Sequence, residues 1–144
     1  MKITVSPSSN PISPTQRDQY LEAPGFGKYF TDHMAVAQWD QGSGWSDLTI
    51  SAYGPLNLDP AAMVFHYGQE IFEGMKAYYQ PDGSIALFRP DANALRFAKS
   101  AARITLPELP VEDFVRAVEA DLLTRADKKR STSEIGDDLA KALN

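Results

Sequence analysis

The sequence contains no cysteine, so disulfide staples, thiolate-bound zinc, iron–sulfur clusters and a thiol nucleophile are excluded by inventory. It also lacks long apolar runs: none approaches the roughly 20 residues that a membrane-spanning helix needs. The amino-terminal MKITVSPSSNPISP has none of the apolar centre of a secretory signal. Glycine is present, but neither G-x-G-x-x-G nor G-x-x-x-x-G-K-[ST] occurs, so a bound anion must be held by side chains. No serine stands in a G-x-S-x-G elbow, and Gly42-Ser43-Gly44 reads as a hairpin turn. The net charge is -5, with basic residues scattered or paired with acids, which argues against a nucleic-acid or acidic-membrane surface. The expectation is a soluble, cytoplasmic protein whose partners are small molecules or proteins.

What is present amounts to one ordinary domain: 144 residues, of which 43% are hydrophobic, are enough to bury a core without staples. Residues 5 to 16, VSPSSNPISPTQ, are rich in serine and proline and read as a leader without regular structure, with a short helix possible over Thr15 to Ala23. After Pro24-Gly25, the aromatic-rich FGKYFTDHMAVAQWD predicts a strand of about ten residues from its loose alternation. Gln41 to Gly44 then reads as a hairpin connection. Trp45 to Pro55 is the returning antiparallel strand, with Leu48, Ile50 and Ala52 on one face.

Asp82-Gly83 between MKAYY and SIALF signals a second hairpin. Pro90-Asp91 marks a helix start with Asp91 as N-cap; Leu95, Ala98 and Ala102 form its apolar face. VEDFVRAVEADLL is amphipathic through Val111, Phe114, Val115, Val118 and Leu122. From Thr124 onward the apolar content drops, and only Ile135, Leu139 and Leu143 hint at a terminal helix. Hairpins followed by helices indicate an α+β domain, an antiparallel sheet with helices packed on one face.

Between these elements lies FHYGQEIFEGMK, residues 65 to 76. On a helix, His66, Glu70 and Glu73 would stand at i, i+4 and i+7 and share one face, as metal ligands do. Gly68 and Gly74 each weaken such a helix by about 1 kcal/mol, and no spacing brings His33 near, so the metal reading is the weaker one. The segment could instead rim some other pocket or be no site. On the helix after Pro90, Arg96, Lys99 and Arg103 share one side, which suits either a docking place for phosphate or carboxylate or a solvated basic face. By the same reasoning the aromatics Phe26, Tyr67 and Phe72 read as core.

Taken together, GFGKYFTDHM (25–34), YGPLNLDP (53–60), FHYGQEIFEGMKAY (65–78) and DGSIALFRPDANALRFAKSAARI (82–104) resemble the branched-chain amino acid aminotransferases. These are fold-type IV enzymes dependent on pyridoxal phosphate. The resemblance runs from about Pro24 to Leu123 and covers the family's amino-terminal small domain. It implies transfer of an amino group between leucine, isoleucine or valine and 2-oxoglutarate, with amino acids and 2-oxo acids as partners, in an enzyme that forms a homo-oligomer. In that family the counterpart of residues 65–76 forms a short helix at the mouth of the active site rather than a metal site. Tyr67, Phe72 and Phe26 would then wall the side-chain pocket, with Tyr67 reaching towards a neighbouring subunit. Arg96 would grip the cofactor phosphate, while His66, Glu70 and Glu73 keep structural or surface roles. Gly74 would let the backbone turn tightly beside the pocket.

The resemblance also implies what is missing. The family's cofactor-bonding lysine and the acid that pairs with the pyridine nitrogen belong to a second domain, and no lysine here occupies a matching position. By this reading residues 1–23 are a leader, 24–123 the small domain and 124–144 a polar tail that departs from the family pattern. No catalytic residue is assigned, and the chain alone is expected to be inactive. The alternative is a free-standing binding or interaction module derived from such a domain. D-amino acid transaminases and aminodeoxychorismate lyases share the small-domain fold, but FTDHM and FEGMKAY speak against both.

Overall fold

The computed structural model describes residues 1–82 and 84–126; the expected terminal helix around Ile135, Leu139 and Leu143 lies outside them. The elements in chain order are β1 (Ile3–Val5), α1 (Pro14–Glu22), β2 (His33–Val36), β3 (Trp39–Asp40), β4 (Gly44–Trp45), β5 (Leu48–Ala52), α2 (Met63–Tyr67), β6 (Ala77–Tyr79), β7 (Ile85–Leu87), α3 (Pro90–Arg103) and α4 (Val111–Ala126). They form two compact units, residues 1–55 with the segment from Ala117 onward, and Leu56–Arg116. The class is α+β, as the sequence predicts. No described helix is long and apolar enough to cross a membrane.

The first unit is organised around β5. Its alternation places Leu48 and Ile50 inward, and Ile50 is completely buried. On one side β5 pairs antiparallel with β2, with Ala35 opposite Ile50. On its other side lies β1, which pairs in parallel with Val5 opposite Ile50, so the three-stranded sheet is mixed. The sequence reading missed β1 because three residues carry too little periodicity to announce a strand. Ala120 of α4 closes over Leu48 and Ile50, with Met1, Ile3, Val5, Ala37 and Ala117 around them.

The segment after β1 is tied to β2 by side chains. The Ser8 amide donates to Nε2 of buried His33 at 2.8 Å, and the Ile12 amide donates to Asp32 Oδ1 at 3.1 Å. Helix α1 then starts at Ser13, whose hydroxyl accepts from the Gln16 amide, with Pro14 in the first turn, a favourable cap and N1 pair. The predicted ten-residue strand is broken: after Val36 the backbone departs from the sheet and re-pairs as the small β3–β4 hairpin, where Trp39 faces Trp45.

In the second unit, β6 and β7 form the predicted hairpin, Ala77 opposite Leu87 and Tyr79 opposite Ile85. Helix α3 has Arg89 rather than Asp91 at its N-cap position, without a side-chain cap, because Pro90 suits the first turn and sets the boundary two residues earlier. Asp91 instead sits in the first turn, where a carboxylate favours the positive end of the helix dipole. The buried face of α3 is Ala94 and Ala101, whereas Leu95 is half exposed; the predicted face is rotated by one residue. Phe97 meets Phe114 of α4 with ring centroids 5.2 Å apart.

Candidate functional site

Helix α2 ends after a turn and a half because Gly68 adopts the left-handed conformation, φ 57 and ψ 35, which glycine enters without a Cβ penalty. His66, Glu70 and Glu73 therefore share no helix face, and the predicted i, i+4, i+7 alignment is overturned. The imidazole of His66 turns back to the Pro60 carbonyl, 2.8 Å from Nε2. Gly74 also departs from expectation. Its φ is not positive, and an added Cβ would meet only the Phe72 ring at 3.5 Å, an ordinary contact.

From Gly68 to Lys76 the backbone is irregular, and helix α3 holds it. Gln69 Nε2 donates to the Ile104 carbonyl at the end of α3, 3.0 Å. Near its start, Asn93 Nδ2 donates to the Gly74 carbonyl and to Glu73 Oε1, both at 2.9 Å. One turn further, Arg96 meets Glu73 side-on, Nε to Oε2 at 2.8 Å and Nη2 to Oε1. Burial in this group is uneven: the Glu73 side chain is 6% exposed and that of Arg96 62%.

A carboxylate taken out of water stays charged only when donors replace the water it loses. The Arg96 hydrogen bonds do most of this for Glu73 and hold its carboxyl below the usual range; partial burial pulls the other way, and Asn93 adds to the lowering. Reciprocally, the hydrogen bonds to Glu73 raise Arg96 above the ordinary arginine value. A guanidinium has five N–H donors, and Glu73 takes two of them. The other three have no partner among the described residues.

Among the predicted pocket residues, Tyr67 is 77% and Phe72 84% exposed, and both belong to the unit that carries Arg96. Phe26 is almost fully exposed in the Gly25–Gly27 turn of the other unit, where both glycines have positive φ. The reading of these three rings as core is therefore overturned. Lys99 and Arg103 are exposed. Glu73, the partner of Arg96, and Asn93, which holds Glu73, are the two residues that sequence reasoning passed over. Asn93 had a visible signal, since it precedes Arg96 by three on one helix and must share its side. Glu73 had none until α2 was seen to stop at Gly68.

No model of a protein family matches the chain. Comparison with curated proteins gives 52% identity over 118 residues, 82% of this chain, with a protein of Streptomyces coelicolor named probable branched-chain-amino-acid aminotransferase. The chain is a homologue of part of such aminotransferases. The branched-chain-amino-acid aminotransferase of Mycolicibacterium smegmatis is 50% identical over the same length. The mitochondrial one of Saccharomyces cerevisiae is 46% identical over 116 residues. The chain spans about a third of the length of these aminotransferases, 33% of the first, 32% of the second and 28% of the third.

Proposed function

We propose that this chain forms the Arg96-bearing part of the cofactor site of a cytoplasmic, homo-oligomeric branched-chain amino acid transaminase. That enzyme moves the amino group between leucine, isoleucine or valine and 2-oxoglutarate, with pyridoxal phosphate as cofactor. The carrying observation is identity near 50% to such aminotransferases over four fifths of the chain. The chain's chemistry fits the cofactor's phosphate. Arg96 is a fixed cation with three N–H donors left over among the described residues, and its mostly exposed side chain is open to an incoming oxyanion. When bound, the cofactor supplies the aldehyde that takes up an amino group from one acid and hands it to another. Arg96 would grip two phosphate oxygens with paired charge-assisted hydrogen bonds. Tyr67 and Phe72, joined by Phe26, would wall the space for a branched apolar side chain and exclude water from it, rigid rings giving contact area at little entropic cost. The leader, small domain and tail division at residues 23 and 123 belongs to the same proposal.

The phosphate role is tested by titrating the 144-residue chain with pyridoxine 5′-phosphate and with pyridoxine, neither of which carries an aldehyde to react with surface lysines. The Arg96 N–H resonances are followed by NMR. A response to the phosphate ester alone, lost in Arg96→Ala, is the expected result; equal responses to both ligands would overturn it. In a glutamate assay with leucine, 2-oxoglutarate and pyridoxal phosphate the chain alone is expected to show no turnover. Sustained turnover would refute the assignment of the reactive amine to a part of the enzyme outside these residues.

A further inference from the structure

We propose that Glu73, backed by Asn93, is the positioning residue that turns the Arg96 guanidinium into a preformed phosphate clamp. This inference rests on the phosphate role given to Arg96 above and assigns a purpose to two residues that the role itself leaves unexplained.

The geometry separates positioning from mere stapling. A surface arginine on a flexible stem samples many rotamers and must give up that freedom each time it grips a ligand. Arg96 is held through Nε and Nη2 together. Two bonds to one carboxylate fix the plane of the guanidinium as well as its distance. The edge made by Nη1 and the second Nη2 hydrogen is left as a pair of parallel donors, the form that matches two oxygens of a phosphate. Glu73 is in turn immobilised. Its side chain is almost buried, and Asn93 Nδ2 bridges Glu73 Oε1 and the Gly74 carbonyl, so carboxylate and backbone are fixed by the same amide. An ion pair that served only to fasten residues 68–76 to α3 would gain nothing from leaving its cation 62% exposed while its anion is hidden. Asn93 and Arg96 both stand on α3, so the carboxylate is fixed by the amide of one and in turn orients the guanidinium of the other.

Charge and geometry predict opposite signs for one substitution. Glu73 is an anion beside an anion site. If it acted only through its charge, Glu73→Gln would tighten phosphate binding by removing a repulsion. If it positions Arg96, the same change weakens binding, because a glutamine presents one acceptor and one amide N–H donor to the two guanidinium donors, and the guanidinium comes loose.

The experiment titrates pyridoxine 5′-phosphate and, separately, inorganic phosphate into the wild-type chain, Glu73→Gln, Asn93→Ala and Arg96→Ala, reading the Arg96 Nε–H resonance and the dissociation constant per folded molecule. The wild type is expected to show an Nε–H signal protected from solvent before any ligand is added. Glu73→Gln is expected to lose that protection and bind about fivefold more weakly or worse. Asn93→Ala, which leaves every charge in place, is expected to weaken binding in the same direction, and it carries the test if Glu73→Gln does not fold. Unchanged or tighter binding in the folded variants, with Arg96→Ala still abolishing it, overturns the positioning role and leaves the phosphate role standing. Wild-type-like binding in Arg96→Ala overturns both.

Discussion

Alanine at Gly68 and alanine at Gly74 are expected to have opposite effects, although the two glycines lie six residues apart in one motif. At Gly68 the backbone is left-handed, φ 57, and the space around an added Cβ is empty. The penalty for alanine is therefore conformational alone, roughly 1–2 kcal/mol for an L-residue in that region. At Gly74 the φ is one that side chains adopt, and the Cβ would touch the Phe72 ring edge at ordinary distance. Alanine there narrows the unfolded ensemble and costs nothing in the folded state, a gain of about 0.4–1 kcal/mol. Urea unfolding followed by circular dichroism reads both. With a slope of about 1–3 kcal/mol per molar, Gly68→Ala should lower the midpoint by several tenths of a molar or more, while Gly74→Ala should raise it slightly. Gly68→Asn should recover part of the loss, because asparagine tolerates the left-handed region. If Gly68→Ala is neutral, or Gly74→Ala is the more damaging of the two, the account of how α2 stops and how residues 68–76 meet α3 is wrong.

In the other unit, Ile50→Ala should cost about 2–5 kcal/mol, since Ile50 is completely buried beneath Ala120 and between two strands; Leu95→Ala, half exposed on α3, should stay within about 0.5 kcal/mol, and equal costs for the two would contradict the placement of the core. His33→Phe keeps the ring but removes the acceptor of the Ser8 amide, so that amide should exchange with solvent much faster while those of β5 do not. The pH dependence of Glu73 has a definite sign. Because its folded pKa is depressed, its contribution to stability is fully present above the unfolded glutamate value, near 4.3, and is lost as pH falls through the lower folded value. An acid titration of unfolding midpoints should therefore be flatter in Glu73→Gln than in the wild type below about pH 4, and superimposable curves would refute the strap between Glu73 and α3.

How much of the fold and site is legible in the sequence depends on the range of the interaction. Elements defined by neighbours in the chain came through. The β6–β7 hairpin is announced by a turn dipeptide, α3 by Pro90, and the inward face of β5 by the alternation of Leu48 and Ile50. What failed was set by distant partners. Strand β1 exists because β5, some 45 residues away, offers it a free edge, and the expected long strand ends at Val36 because the chain leaves β5 there. The face of α3 was displaced by one residue because helical spacing alone cannot choose between Leu95 and the smaller Ala94. Arg96 was visible as part of a motif, but its partnership with Glu73 requires both the left-handed Gly68 and the opposing helix, and neither is encoded in the spacing of the charges.

The parallel edge strand has a consequence for synthesis. Ile3, Thr4 and Val5 are made well before Leu48, Thr49 and Ile50, the residues they will pair with. At about 5–20 residues per second the ribosome leaves them without a partner for roughly two to nine seconds. A bare β-branched triplet with two apolar residues is a nucleus for association between nascent chains. The run that follows it, Ser6-Pro7-Ser8-Ser9-Asn10-Pro11, cannot prolong a ladder because proline offers no amide hydrogen, and so confines the sticky stretch to three residues until its own sheet arrives.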